Sequence, residues 1–157
     1  MSKDYIKANK EFKNPSGKKD KPKDEFYNED NYKNKIFDGF GKDFTSLILN
    51  KQKDDYNSYI DKVKNYVRRI KDDISTSQLR NVFGEVKRAV EPKEIYLLRP
   101  KFAYISGRTD NNKQGMKEFL YLLDKLAKEV KTKEQLQEFK NFFESIISYH
   151  KYYGGKD

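Results

Sequence analysis

Cysteine is absent, histidine occurs once, and no apolar run is long enough to cross a bilayer. Without cysteine there are neither disulfides nor thiolate metal sites, and the redox compartment is left open. His150, the sole imidazole, lies beside the apolar face of the last predicted helix, where a packed, hydrogen-bonded ring is expected rather than a catalytic base lacking an orienting partner. No phosphate-loop glycine pattern, nucleophile elbow or zinc-ligand spacing is present. Enzymatic activity is therefore not indicated, and no cofactor is implied. The N-terminal run MSKDYIKANKEFK lacks the apolar core of a secretory signal, which predicts a cytoplasmic protein.

Arginine is also confined. Lysine is scattered along the whole chain, but the arginines are only Arg68, Arg69, Arg80, Arg88, Arg99 and Arg108. Arginine carries a planar, permanently charged fork that clamps phosphate and stacks on bases, so the stretch from Ile74 to Arg108 is the candidate working surface. The net charge of +9 peaks there, with seven basic residues against three acidic ones between 74 and 108. A polyanionic partner follows, and nucleic acid suits it better than a membrane because no free apolar face fronts the basic stretch.

Hydrophobic residues make up 35% of the 157 residues and charged residues 38%, which predicts one domain with a narrow core built from thin amphipathic helices. Residues 1–31 mix charges of both signs with Pro15, Gly17 and Pro22 and have too few apolar anchors to offset ordering, so a polar tail is expected. Residues 32–54 carry Ile36, Phe37, Phe40, Phe44, Leu47 and Ile48, interrupted by Gly39 and Gly41, which predicts a short or broken helical extension docking on the bundle or on a neighbour. Residues 55–157 read as the bundle itself, about five helices with no strand pattern.

In that bundle Tyr56, Tyr59, Ile60, Val63, Tyr66, Val67, Ile70 and Ile74 recur at three- and four-residue steps. Ser75 with Gln78 forms a capping box for the next helix, whose inward residues are Leu79, Val82, Phe83, Val86 and Val90. Pro92 ends it, Pro100 kinks or restarts the segment from Glu94, and Gly107 stops it before a polar loop. Met116, Phe119, Leu120, Leu123, Leu126, Ala127 and Val130 form the next stripe, with charges on the outside. Thr132 with Gln135 opens a last helix carrying Leu136, Phe139, Phe143, Ile146, Ile147 and His150 inward.

Asp54-Asp55 and Asp72-Asp73 invite a two-metal reading. Adjacent residues on a helix diverge by about 100°, however, and nothing marks which carboxylates would converge, so no metal site is assigned. On the second bundle helix Arg80, Gly84, Lys87 and Arg88 share a face, and Gly84 leaves room for a phosphate backbone. A solvated charged face is the competing role. Aromatic rings are interleaved: Tyr66 before Arg68-Arg69, Phe83 near Arg80, and Tyr104 between Lys101 and Arg108, although inward rings pack cores. Tyr149, Tyr152 and Tyr153 close the bundle's end or meet a partner.

The runs Ser75-Thr76-Ser77-Gln78-Leu79-Arg80-Asn81 and Leu98-Arg99-Pro100-Lys101-Phe102-Ala103-Tyr104 with Gly107-Arg108, and the tail from Phe143 to Gly155, resemble in order and spacing the small subunit of type III-A CRISPR effector (Csm) complexes. That resemblance implies a non-catalytic, all-helical subunit of a crRNA-guided antiviral complex. On that resemblance its copies would stack as a minor filament beside the backbone subunits, between the large polymerase-like subunit and the far end. The resemblance further implies contact with target RNA and the guide–target duplex through a sequence-blind basic surface, target cleavage left to the backbone subunits, and a capacity for self-association. By motif, Arg80, Arg99 and Arg108 carry over as RNA-binding positions. Lys87, Arg88, Lys101, Arg68 and Arg69 join them from the residue reading alone. All six guanidinium groups are expected to form one continuous cationic strip outside the bundle. The competing reading is a helical adaptor that pairs these arginines with an acidic protein and binds no RNA.

Overall fold

The computed structural model describes residues 29–155, and all regular structure in that span is helical. The order is α1 (Glu29–Phe40), α2 (Phe44–Leu49), α3 (Tyr56–Ile70), a 3-10 turn (Lys71–Asp73), α4 (Thr76–Arg88), α5 (Pro92–Tyr96), α6 (Arg99–Arg108), α7 (Gln114–Glu129) and α8 (Lys133–Tyr152). The chain is an all-α bundle, as its periodicity predicts. No strand occurs, and no helix is long and apolar enough to cross a membrane, among the described residues. The polar tail expected over residues 1–31 lies, for residues 1–28, outside the described residues; residues 29–31 open α1.

Helix α3 buries Tyr59, Val63, Tyr66, Val67 and Ile70 at helical steps, and the Asp55 carboxylate accepts the Ser58 N–H at 3.0 Å to cap it. Tyr56, expected inward, is half exposed instead: it is the first residue of α3, and its hydroxyl donates back to the Lys51 carbonyl in the preceding segment. The capping box at α4 is complete: Ser75 Oγ accepts the Gln78 N–H at 3.1 Å and Gln78 Oε1 accepts the Ser75 N–H at 2.9 Å. Val90, expected on the inward face of α4, is 64% exposed. The helix stops at Arg88 and Ala89 turns extended, so the 3.6-residue phase that would have carried Val90 inward is lost. Pro92 and Pro100 each occupy a first turn, of α5 and α6, where a missing N–H costs nothing. Gly107 does not end α6, which runs on to Arg108. At α8, Thr132 accepts the Gln135 N–H, but Gln135 Oε1 bonds the Lys131 N–H rather than that of Thr132, so the second box is displaced by one residue.

Gly41, at φ 92°, separates α1 from α2 in a backbone region that glycine adopts freely. Both helices join the common core through Ile36, Phe40, Ile48 and Leu49, all at most 2% exposed, and the Phe40 ring lies 5.1 Å from that of Tyr66 and 5.8 Å from that of Phe142. Helix α7 is central, packed by α6, α1, α2, α3, α5 and the 3-10 turn. Its outer face therefore meets protein rather than water, and Gly115, Lys117 and Glu118 are buried with its apolar stripe.

Candidate nucleic-acid interface

Helices α4 and α6 stand on either side of a groove of about 760 Å³. Ser75, Gln78 and Asn81 line it from α4 and its cap, and Lys101, Tyr104, Ile105 and Arg108 from α6. The 3-10 turn contributes Asp72 and Asp73, and the 109–113 loop contributes Thr109, Asp110 and Lys113. An ion pair between Lys101 and Glu85, 2.5 Å apart, ties the two helices together. Residues 78, 81, 85 and 88 recur at steps of three and four on α4, so Glu85 and Arg88 extend the groove wall toward a smaller hollow lined by Leu97 and Leu98.

Arg80, Lys87 and Arg88 are exposed on α4 and have no ion-pair partner among the described residues. Arg80 and Lys87 lie about 120–140° around the helix from the centre of that wall, and Arg88 forms the wall's edge nearest them. Gly84, on the same side as Arg80, has no atom within 4 Å of where a Cβ would stand, so nothing in the fold itself requires a glycine there. Arg108 has no carboxylate partner among the described residues either. Its guanidinium lies 5.7 Å from the Tyr104 ring centroid and 3.4 Å from that hydroxyl.

The single strip of six guanidinium groups does not form. Arg69 bonds Glu118 through both nitrogens, at 3.2 and 2.6 Å, and Arg99 bonds Asp124 at 2.7 and 3.4 Å. Both carboxylates belong to α7, whose central position leaves its polar side chains dependent on cations from α3 and α6. Arg68 is exposed on α3 and donates to Asn65 at 3.0 Å. The structure thus places Lys101 and Arg108 in the groove with Arg88 at its edge, leaves Arg80 and Lys87 on another side of α4, and gives Arg69, Arg99 and Lys101 internal partners. The sequence reading missed Gln78, Asn81 and Lys113 as groove residues; the step of three from Gln78 to Asn81 on a capped helix was the available signal.

A profile of the family described as Csm2 Type III-A matches residues 53–156. The chain belongs to this family. A Streptococcus thermophilus relative described as "CRISPR system Cms protein Csm2" is 31% identical over 116 residues, a match covering 64% of this chain and 94% of the relative. No solved structure matches significantly. Membership in the Csm2 family makes the chain a small subunit of a type III-A CRISPR complex. All eight candidate cations fall within the Csm2 match, whereas α1 and α2 precede it and nonetheless share the core.

Two further groups beside the interface are structural. Lys117, buried on α7, donates to the Ser106 carbonyl at 2.6 Å; burial lowers its pKa, partly opposed by the charge of Asp110. The Tyr66 hydroxyl is fully buried with no hydrogen bond of normal geometry among the described residues, and burial, reinforced by the neighbouring Glu118, pushes its pKa well above the usual tyrosine value. A raised tyrosine pKa keeps the folded state protonated when the unfolded chain ionises near pH 10, so stability falls as pH rises above about 10. Tyr66→Phe removes an unpaired polar atom and should leave stability at pH 7 unchanged or raised by up to about 1 kcal/mol. The same substitution should make the alkaline loss shallower, while Tyr59, raised by burial and Glu138, maintains the rest. Urea melts at neutral and alkaline pH check both; a variant destabilised at pH 7 would mean the hydroxyl is bonded after all.

Proposed function

We propose that this chain is the non-catalytic, RNA-binding small subunit of its Csm complex. The observation that carries the reading is the exposed cationic side of α4, Arg80, Lys87 and Arg88, none of them in an ion pair among the described residues, with Arg108 on the far wall of the neighbouring groove. Exposed guanidinium and ammonium groups without internal partners attract phosphates by charge and release counterions, which gives sequence-independent, salt-sensitive binding. Gly84 between Arg80 and Lys87 permits close approach of a ribose–phosphate chain. The partners on this reading are target RNA and its duplex with crRNA, alongside the backbone and polymerase-like subunits and further copies of this chain. Val90, in the α4–α5 turn, and Leu97, in the α5–α6 turn, are 64% and 70% exposed and suit such subunit contacts. Arg99 stands in a motif position of the family, and on this reading it acts on RNA only where the Asp124 pair opens.

Arg80→Ala and Arg108→Ala should each weaken RNA binding to a similar extent for unrelated sequences and lower the salt slope by about one. Fluorescence anisotropy of labelled RNAs across a salt series measures this. Loss confined to one sequence would overturn the charge-based reading. A purified protein that binds an acidic protein but no RNA, with that complex surviving nuclease, would favour the adaptor.

A further inference from the structure

The groove between α4 and α6 differs in charge from the ridge beside it. Its lining carries three cations, Lys101, Arg108 and Lys113, and three carboxylates, Asp72, Asp73 and Asp110. Lys101 is additionally paired with Glu85 outside. A phosphate inside the groove would therefore gain no net attraction and would face three like charges, whereas on the ridge Arg80, Lys87 and Arg88 are in no ion pair among the described residues and carboxylates, Glu85 and Glu94, stand only on the Arg88 side. What the groove does offer is an aromatic face and amides. Tyr104 is 59% exposed, an unusual position for a large ring, and it is braced by the Arg108 guanidinium one turn along α6. Gln78 and Asn81 supply amide donors and acceptors from α4.

We infer that this groove takes one unpaired base of single-stranded RNA, stacked on the Tyr104 ring with its edge toward Gln78 and Asn81, while the phosphates stay on the cationic ridge and at Arg108. The inference rests on the RNA-binding reading of this surface and adds to it a preference for unpaired nucleotides. Bases within a duplex are stacked on one another and present no free face, so a helix can occupy the ridge but not the groove. The amino groups on base edges are donors and match the carboxylates that a phosphate would avoid. Every base has a π face, so the preference carries no sequence requirement.

The test uses the full chain, a short labelled RNA of mixed sequence, and the same strand annealed to its complement. Tyr104→Ala should weaken single-strand binding by about 5- to 150-fold, the range for losing one stacked base, and change duplex binding by less than about 2-fold. Its salt slope should match that of the wild type, because no phosphate contact is lost. Tyr104→Phe should bind like the wild type. A 2-aminopurine placed in the strand should be quenched on binding the wild type but not Tyr104→Ala. If Arg80→Ala and Arg108→Ala lose affinity while Tyr104→Ala does not, or if Tyr104→Ala loses single strand and duplex equally, base capture is wrong and the RNA-binding reading stands. If the wild type binds no RNA, both fall.

Discussion

Arg69→Ala is expected to destabilise the protein by about 3 kcal/mol, while Arg68→Ala, one residue earlier, should shift it by no more than about 0.5 kcal/mol. The two side chains have the same chemistry and differ only in what they meet. Arg69 NH1 and NH2 bond the two carboxylate oxygens of Glu118, whose side chain is 2% exposed, and the guanidinium also lies 5.3 Å from the Tyr66 ring centroid. Removing the arginine leaves a buried carboxylate without countercharge beside an already unpaired hydroxyl. Breaking one half of a buried pair typically costs about 3–5 kcal/mol, and the low end applies because the Arg69 side chain is itself 43% exposed, so water partly screens the pair. The double variant Arg69→Ala/Glu118→Gln should be more stable than Arg69→Ala alone, since a neutral amide tolerates the site better than an orphaned charge. Urea denaturation gives all three values. At a temperature where it remains folded, Arg69→Ala should keep its affinity and salt slope for RNA. An Arg69→Ala protein of wild-type stability that lost RNA binding would return Arg69 to the interface.

His150→Ala should cost about 3–4 kcal/mol. The imidazole is 1% exposed and joins the end of α8 to the α3–α4 junction. Its Nε2 lies 2.7 Å from the Ile74 carbonyl oxygen and 3.2 Å from that of Lys71, and its Nδ1 lies 3.3 Å from the Thr76 hydroxyl. Two carbonyls can only accept, so Nε2 carries the proton, and the hydroxyl can serve Nδ1 as donor. The backbone of Gly155 folds over the ring so closely that a Cβ there would fall 2.0 Å from Cε1. Truncation leaves a cavity, an unpaired Ile74 carbonyl and a buried Thr76 hydroxyl with a weaker partner, the Gly155 carbonyl at 3.5 Å. His150→Gln, whose amide can donate to the Ile74 carbonyl, should recover part of the loss. Urea midpoints for the three proteins decide the matter; His150→Ala within about 1 kcal/mol of wild type would show that the ring is not a strut.

Helices that stand at the edge of the bundle were legible in the sequence because each has one dry face and one wet face. The stripes of α3 and α8 and the Ser75–Gln78 box on α4 are found where spacing places them, and Pro100 restarts a helix where its missing N–H demands. The errors fall where that premise fails. Tyr56 and Val90 lie at or beyond helix ends, where apolar periodicity continues in sequence after the helical phase has stopped. Lys117 and Glu118 were expected outside because α7 was read as another one-sided helix, but neighbours surround it.

That same enclosure explains the arginines. A surrounded helix with polar residues must have them neutralised, and α7 draws Arg69 from α3 and Arg99 from α6 for Glu118 and Asp124, and Asp73 from the 3-10 turn for the Gly115 N–H at 2.7 Å. Nothing local to Arg68 and Arg69, or to Arg99 and Arg108, distinguishes the paired member from the free one. Family, helical class and the concentration of cationic residues between 68 and 108 were determined by the sequence alone, since each follows from residue type and spacing along one chain. Which guanidinium groups remain available to a partner, and that Tyr104 stands exposed over a groove of balanced charge, were decided only by tertiary structure, because a charge is free or neutralised according to what distant segments bring within about 4 Å of it.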